Sequence, residues 1–228
     1  MSRKDIKTMC VASEPILGQM TAEATLQERL AELPYTEPAA PVGADAAVLL
    51  ALSPVPGGAD DLELVLVRRP DHMRNHAGQV GLPGGAVEPA DANPVAAALR
   101  EAYEEVGLDP ASVRVLGSLP RAYLTVSGFD VLPVVGSWDG QAPLHPNHSE
   151  VAGILRPTLR QLADPANHGT EPLGRLVSPA ALRGRAAAMP SPVFWVDGVL
   201  VWGFTAGLLV RFLSAVGLPA PPLPAPAS

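Results

Sequence analysis

Apolar positions along the chain fall into short unbroken runs and one clear helical stripe. "AAVLLALS" (46–53) is almost wholly apolar and of strand length, and "LELVLVRR" (62–69) is a second such run. The turn-rich "PVPGGADD" between them predicts a hairpin. "HMRNHAGQVGLPGG" has no period and is expected to be irregular. Val95, Ala98, Leu99, Ala102 and Val106 then recur at helical spacing. Both ends of that helix are marked independently, by Asn93 as N-cap with Pro94 in the first turn, and by Gly107 as C-cap with Pro110 beyond it. "VRVLGSLP" and "DVLPVVGSW" predict two more strands, and "LRQLADP" (159–165) a short helix. "SPVFWVDGVLVWGFT" predicts a hairpin turning at Asp197-Gly198, and "AGLLVRFLSAVG" a closing helix. Upstream, Leu26, Leu30 and Leu33 in "TLQERLAEL" (25–33) predict a short helix stopped by Pro34. The expected organisation is an arm and short helix over 1–40, one mixed α/β domain over 41–217, and a disordered or extended Pro/Ala-rich tail over 218–228.

Composition narrows the function classes. A chain of 228 residues with 47% hydrophobic residues can bury a sizeable single core. The net charge of -7 argues against nucleic-acid binding through a broad basic surface. It leaves room for an anionic small molecule, since a divalent cation can bridge acidic protein and phosphate. The single cysteine, Cys10, makes no internal disulfide and no Cys-rich zinc site, and a reducing cytoplasm is the simplest compartment. "MSRKDIKTMC" lacks the apolar core of a secretory signal, and "VLVWGFTAGLLV" (199–210) is too short to span a bilayer, so no membrane role is expected.

The predicted helix carries the chemistry. Glu101, Glu104 and Glu105 project within an arc of about 100°. Like charges at that spacing repel, and the one nearby cation, Arg100, cannot neutralise all three. Such a cluster is either a solvated face or a site for a hard cation such as Mg²⁺ or Mn²⁺, which favours oxygen ligands. The loop before it weighs toward the second reading, because Gly84-Gly85 lets backbone approach a ligand closely. "GQVGLPGG" lacks the Gly-Lys-Ser/Thr ending of a phosphate-cradling P-loop. "HPNHSE" (145–150) offers His145, His148 and Glu150, without the partner ligands of a closed zinc site.

"GLPGGAVEPADANPVAAALREAYEEVGL" (81–108) resembles the Nudix box: Gly, five residues, Glu, seven residues, Arg-Glu-Ψ-x-Glu-Glu-x-Gly-Ψ. The matches are Gly85, Arg100, Glu101, Ala102, Glu104, Glu105, Gly107 and Leu108. Asp91 stands for the first Glu, and eight residues rather than seven separate it from Arg100. That long form is similar to the coenzyme A pyrophosphatase branch. So is "LVLVRRPDHMRNHAGQVGLPGG", where Arg69, Arg74, Gly78 and Pro83-Gly84-Gly85 fall in register while Val67, Pro70 and Leu82 depart. The hairpin running into "WGFTA" resembles the branch's ending, so the likeness covers roughly 45–215.

The resemblance implies a Nudix α/β/α sandwich with a mixed sheet, hydrolysing coenzyme A or its derivatives to 3',5'-ADP and 4'-phosphopantetheine with Mg²⁺ or Mn²⁺. Glu101 and Glu105 are the implied metal ligands, and Glu104 a further ligand, a group behind the ligands or a base. Arg100 is expected to orient the glutamates. Arg69 and Arg74, with Gly84 and Gly85, are candidates for contacts to substrate phosphates, and Glu150 for an additional carboxylate. His76 is expected to play a hydrogen-bonding role, Tyr123 to stack on adenine or pack ordinarily, and Trp195 and Trp202 to lie in the core. A homodimer is compatible with the resemblance. Two alternatives stand beside it: a Nudix enzyme for ADP-ribose, NADH or a dinucleotide, and a non-catalytic Nudix module that senses a ligand.

Overall fold

The computed structural model describes residues 25, 26, 28, 29, 44–56, 61–73, 76–124, 128–178, 182 and 187–223. The expected arm over 1–19, Leu30, Leu33, Arg74 and the end of the tail (224–228) lie outside the described residues. Strand β1 (Ala44–Pro54) is the centre of a six-stranded mixed sheet. It pairs antiparallel with β2 (Leu62–Leu64). Strands β3 (Leu66–Arg68) and β4 (Val80–Gly81) leave for a second sheet, and β5 (Gly84–Ala86) returns antiparallel to β1. Helix α1 (Pro94–Val106) follows, then β6 (Arg114–Ser118), β7 (Ala122–Leu124) and β8 (Phe129–Ser137). β8 lies parallel to β1 over nine registered pairs, Ala44↔Phe129 to Leu52↔Ser137. β9 (Gly153–Leu155) joins β3 and β4, and short helices α2 (Leu159–Ala163) and α3 (Leu173–Leu176) flank β10 (His168–Pro172). β11 (Pro190–Val196), β12 (Val199–Trp202) and α4 (Gly203–Ala215) close the fold.

The reason "AAVLLALS" is apolar without alternation is that β1 is covered on both faces. Ala47, Leu49 and Ala51 point to one side and pack with Ala98, Ala102 and Val106 of α1. Leu50 and Leu52 point to the other and pack with Phe194, Leu209 and Phe212 of the β11–α4 layer. Helix, sheet and a second layer of strand and helix give the expected α/β/α arrangement. Leu26 is buried in the second cluster, so the described part of the N-terminal helix belongs to the core. Among the described residues no helix is long and apolar enough to cross a membrane.

Several expectations are corrected by tertiary context. The run 62–69 is not one strand: Val65 still donates to Ala51 O (3.0 Å), and from Leu66 the chain switches sheets to pair with β4 and β9. The stretch expected to be irregular contains β4 and β5, whose pairings are too short to impose a period. β7, β10 and α3 had no sequence signal of their own. Trp195 is not core but 40% exposed, because only the opposite face of β11, bearing Phe194 and Val196, is covered. Trp202 is half-buried, and Tyr123 is 46% exposed and not packed inside. Leu218 and Ala220, at the start of the Pro/Ala-rich tail, pack on the core instead of trailing into solvent. The hairpin does turn at Asp197-Gly198, both with positive φ (49° and 78°), as a two-residue primed turn requires.

Candidate active site

Two neighbouring segments build the site: β5 lies on β1, and α1 lies over both. Gly84 has φ 155°, and a Cβ there would overlap Ala47 O and sit 2.6 Å from Val48 Cα, so only glycine lets β5 come this close to β1. A Cβ on Gly85 would overlap Glu101 Oε1 and lie 2.7 Å from its Cδ. The backbone of β5 is thus pressed against the acidic face of α1. The helix is fixed at both ends. Asn93 Oδ1 accepts from Ala96 N (3.0 Å), and Gly107, in the left-handed region at φ 72°, donates to Tyr103 O (2.9 Å).

The three glutamates, alike in sequence, have three different environments. Glu105 is buried, and its Oε2 accepts from Gly84 N at 3.2 Å. Burial pushes its pKa up to about 7; Glu101 and Glu150 push the same way, against the Gly84 N–H and the Arg69 guanidinium. Glu101 is half-buried and also raised, first by burial, with Glu104 and Glu150 adding to it and Arg100 opposing. Glu104 is about half exposed, its Oε2 accepting from Arg100 Nη1 at 2.9 Å.

Arg100 is the hub of the exposed side. It donates through Nε and Nη2 to both oxygens of Asp91 (3.0 and 3.1 Å), through Nη1 to Glu101 and Glu104 (3.1 and 2.9 Å), and through Nη2 to Ala86 O (3.1 Å). Asp91, whose side chain is 5% exposed, also accepts from Glu88 N (2.8 Å). The Arg100 bonds and that amide hold Asp91 below the usual carboxylate range, and the Asp91 bonds raise Arg100 in turn. The residue that departs from the box pattern is therefore bound to the box arginine in bidentate fashion.

Two further segments converge. Arg69 follows β3 and favours the ionised form of Glu105, while its buried Nε has no hydrogen-bond partner. Glu150 arrives on the loop 144–151, which runs along the end of α1 and is close enough to act on both Glu101 and Glu105. Sequence reasoning named Glu150 but missed the residue organising its loop, Asn147, whose N–H donates to Glu105 O at 2.8 Å. No local pattern marks that contact, which spans two elements distant in sequence. His145 and His148 are exposed, and His76, at φ 58°, pairs Nδ1 with Gln79 Oε1 (2.8 Å). None of the three histidines is brought to the glutamates by any of these contacts.

Among the described residues, no three His, Cys, Asp or Glu side chains stand close enough together to cage a metal ion unaided. The donor set nevertheless fits a hard divalent cation. It is made of carboxylates, and Glu105 holds its proton to about pH 7 because burial disfavours its charged form and Glu101 beside it adds to the effect, a charge that a bound cation would offset.

With this geometry in place, comparison with known proteins assigns the class. The NUDIX domain model matches residues 52–177, more than half of the chain. "Uncharacterized Nudix hydrolase NudL" of Escherichia fergusonii is 39% identical over 175 residues, covering 76% of this chain and 83% of that protein. The protein of the same description from Escherichia coli is 38% identical over the same shares. The chain belongs to the Nudix hydrolase family. A crystal structure of a Nudix hydrolase from M. Smegmatis, RenU, is 24% identical, and the match covers 56% of this chain and 84% of that one with a TM-score of 0.44.

Proposed function

We propose that this chain is a metal-dependent pyrophosphatase that cleaves the diphosphate of coenzyme A or its acyl derivatives to 3',5'-ADP and (acyl-)4'-phosphopantetheine. The observation that carries the reading is that Glu105 and Glu101 lie directly against Gly84 and Gly85 of β5, Glu105 Oε2 accepting from Gly84 N at 3.2 Å and the Glu101 carboxylate lying where a Cβ on Gly85 would be. Glu101 and Glu105 hold Mg²⁺ or Mn²⁺, with Glu104 at the exposed rim as a further ligand or base and Glu150 as an additional carboxylate. The ion, when bound, neutralises phosphate charge and acidifies a bound water. Arg100 keeps Glu101 and Glu104 in one orientation, through its bonds to both and to Asp91. Arg69, with an unused buried donor, contacts a substrate phosphate. Gly84 and Gly85 let the diphosphate approach the backbone. Arg74 has the same role by its place in the upstream pattern.

The coenzyme A assignment is supported by that upstream pattern. Its three departures, Val67, Pro70 and Leu82, are all buried, so they alter packing and leave Arg69 and the glycines untouched. The test is a product-resolved panel of coenzyme A, acetyl-coenzyme A, ADP-ribose, NADH and a diadenosine polyphosphate, with Mg²⁺ or Mn²⁺. The expected result is 3',5'-ADP from coenzyme A, formed faster than any other product. Preference for ADP-ribose or NADH refutes the substrate, and no turnover with either metal refutes the enzyme.

A further inference from the structure

Glu150 is exposed on a loop, yet its position depends on two clamps. On one side the loop is tied to the last turn of α1: His145 N donates to Val106 O and Asn147 N to Glu105 O, both at 2.8 Å. Those carbonyls are among the last four of the helix and have no partner within it, so the loop serves as the helix's C-terminal cap. On the other side Ala152 N donates to Arg68 O (2.8 Å), where β9 begins to pair with β3. Between the clamps a tight turn presents Glu150, and both oxygens of Asn147 are spent on it. The Asn147 carbonyl accepts from Glu150 N (2.9 Å) and Val151 N (2.8 Å). Its side-chain Oδ1 accepts from Ser149 N (3.3 Å) and Ser149 Oγ (2.7 Å).

We infer that Asn147 is a positioning residue: its N–H ties the 147–151 turn to the end of α1, its carbonyl and Oδ1 brace the turn, and together they hold Glu150 at the Glu105 end of the helix. The inference rests on the pyrophosphatase reading above. One residue thereby touches both sides of the site, its N–H on the backbone of Glu105 and its carbonyl on the backbone of Glu150. A change in the turn moves Glu150 against a fixed Glu105. Asn147 is exposed, so loss of its side chain disturbs the turn and not the core.

The test compares Asn147→Leu, which removes the accepting oxygen at similar size, with Asn147→Asp, which keeps it, and with Glu150→Gln alone and combined with Asn147→Leu. Asn147→Leu is expected to lower kcat about 10- to 100-fold, the cost of a misplaced group in a site of this kind, with KM nearly unchanged. Its Tm should stay within about 2 °C of the wild type, as for a surface change. Asn147→Asp should restore most of the loss, and Asn147→Leu should add nothing to Glu150→Gln. Mn²⁺ affinity of the chelator-treated protein is the second readout and should weaken in the same non-additive way. Losses that multiply in the double variant, or a kcat loss that tracks Tm and is not rescued by Asp, overturn the inference. If the wild type turns over no diphosphate, the pyrophosphatase reading fails separately. The Mn²⁺ titration then decides: affinity weakened non-additively by Asn147→Leu and Glu150→Gln upholds the positioning role, and affinity untouched by Asn147→Leu overturns it.

Discussion

Replacing Glu105 by Gln should stabilise the metal-free protein, although it removes a buried carboxylate that accepts a hydrogen bond. The carboxyl's pKa rises from its ordinary 4.5 to about 7, with burial the largest cause. A group raised in the folded state contributes stability that is fully present below its unfolded pKa and is lost as pH climbs through the folded value. The window here is therefore about pH 4.5 to 7, and ionising Glu105 inside the fold costs on the order of 3 kcal/mol across it. Gln has the same shape, and its Oε1 can still accept from Gly84 N, so the variant keeps the contact and drops the charge. Urea unfolding in the presence of a chelator should give equal stabilities at pH 4.5. The curves should separate as pH rises, with Glu105→Gln ahead by roughly 3 kcal/mol at pH 8. Adding Mn²⁺ should reverse the order once it is well in excess, since a ligand at a thousand times its Kd adds about 4.1 kcal/mol to whichever protein binds it. A variant less stable than wild type at pH 8 without metal, or a difference that does not grow with pH, refutes the account of Glu105.

Metal dependence should follow the same proton: apparent Mn²⁺ affinity should fall as pH drops through about 7, measured by titration at fixed ionic strength. Gly85→Ala places a methyl against the Glu101 carboxylate, so activity should fall by two orders of magnitude or so while Tm moves little, the side chain swinging away; activity near wild type would show that Glu101 has no fixed role. Phe212→Ala empties a fully buried ring position where α4 meets the β11 layer and should cost about 3–5 kcal/mol in urea unfolding.

What could be read in the sequence was what local chemistry decides. Asn93 and Gly107 bracket α1 because caps act within a turn of the helix end, and Asp197-Gly198 makes its turn because both residues tolerate positive φ. The unbroken apolarity of β1 reports a strand covered on both sides. What could not be read depends on partners distant in the chain. Glu101, Glu104 and Glu105 look alike until β5 packs on the helix, burying one, half-burying another and leaving the third at the rim. The break at Val65 exists because two sheets compete for one run of residues. Asp91 reads as a departure from the box, yet its carboxylate meets Arg100 on two atoms despite the shorter side chain and the extra residue. Trp195 was expected inside on hydrophobicity alone, but which face of β11 is covered is decided by α4.

The parallel pairing of β1 with β8 sets the order in which the molecule can come into being. The segment carrying Gly84, Gly85 and the three glutamates lies in the chain between those two strands. A parallel, sequence-distant pair forms slowly, because the intervening loop must close before any contact rewards it. Glu150 is synthesised later still. A nascent chain released before Ser137 lacks the strand that buries one edge of β1, and exposes a continuous apolar edge prone to aggregation. Glu101 and Glu105 meet β5 within residues 44–106, so the acidic face is built from one contiguous stretch of chain, and the parallel strand that completes the sheet is added from outside it.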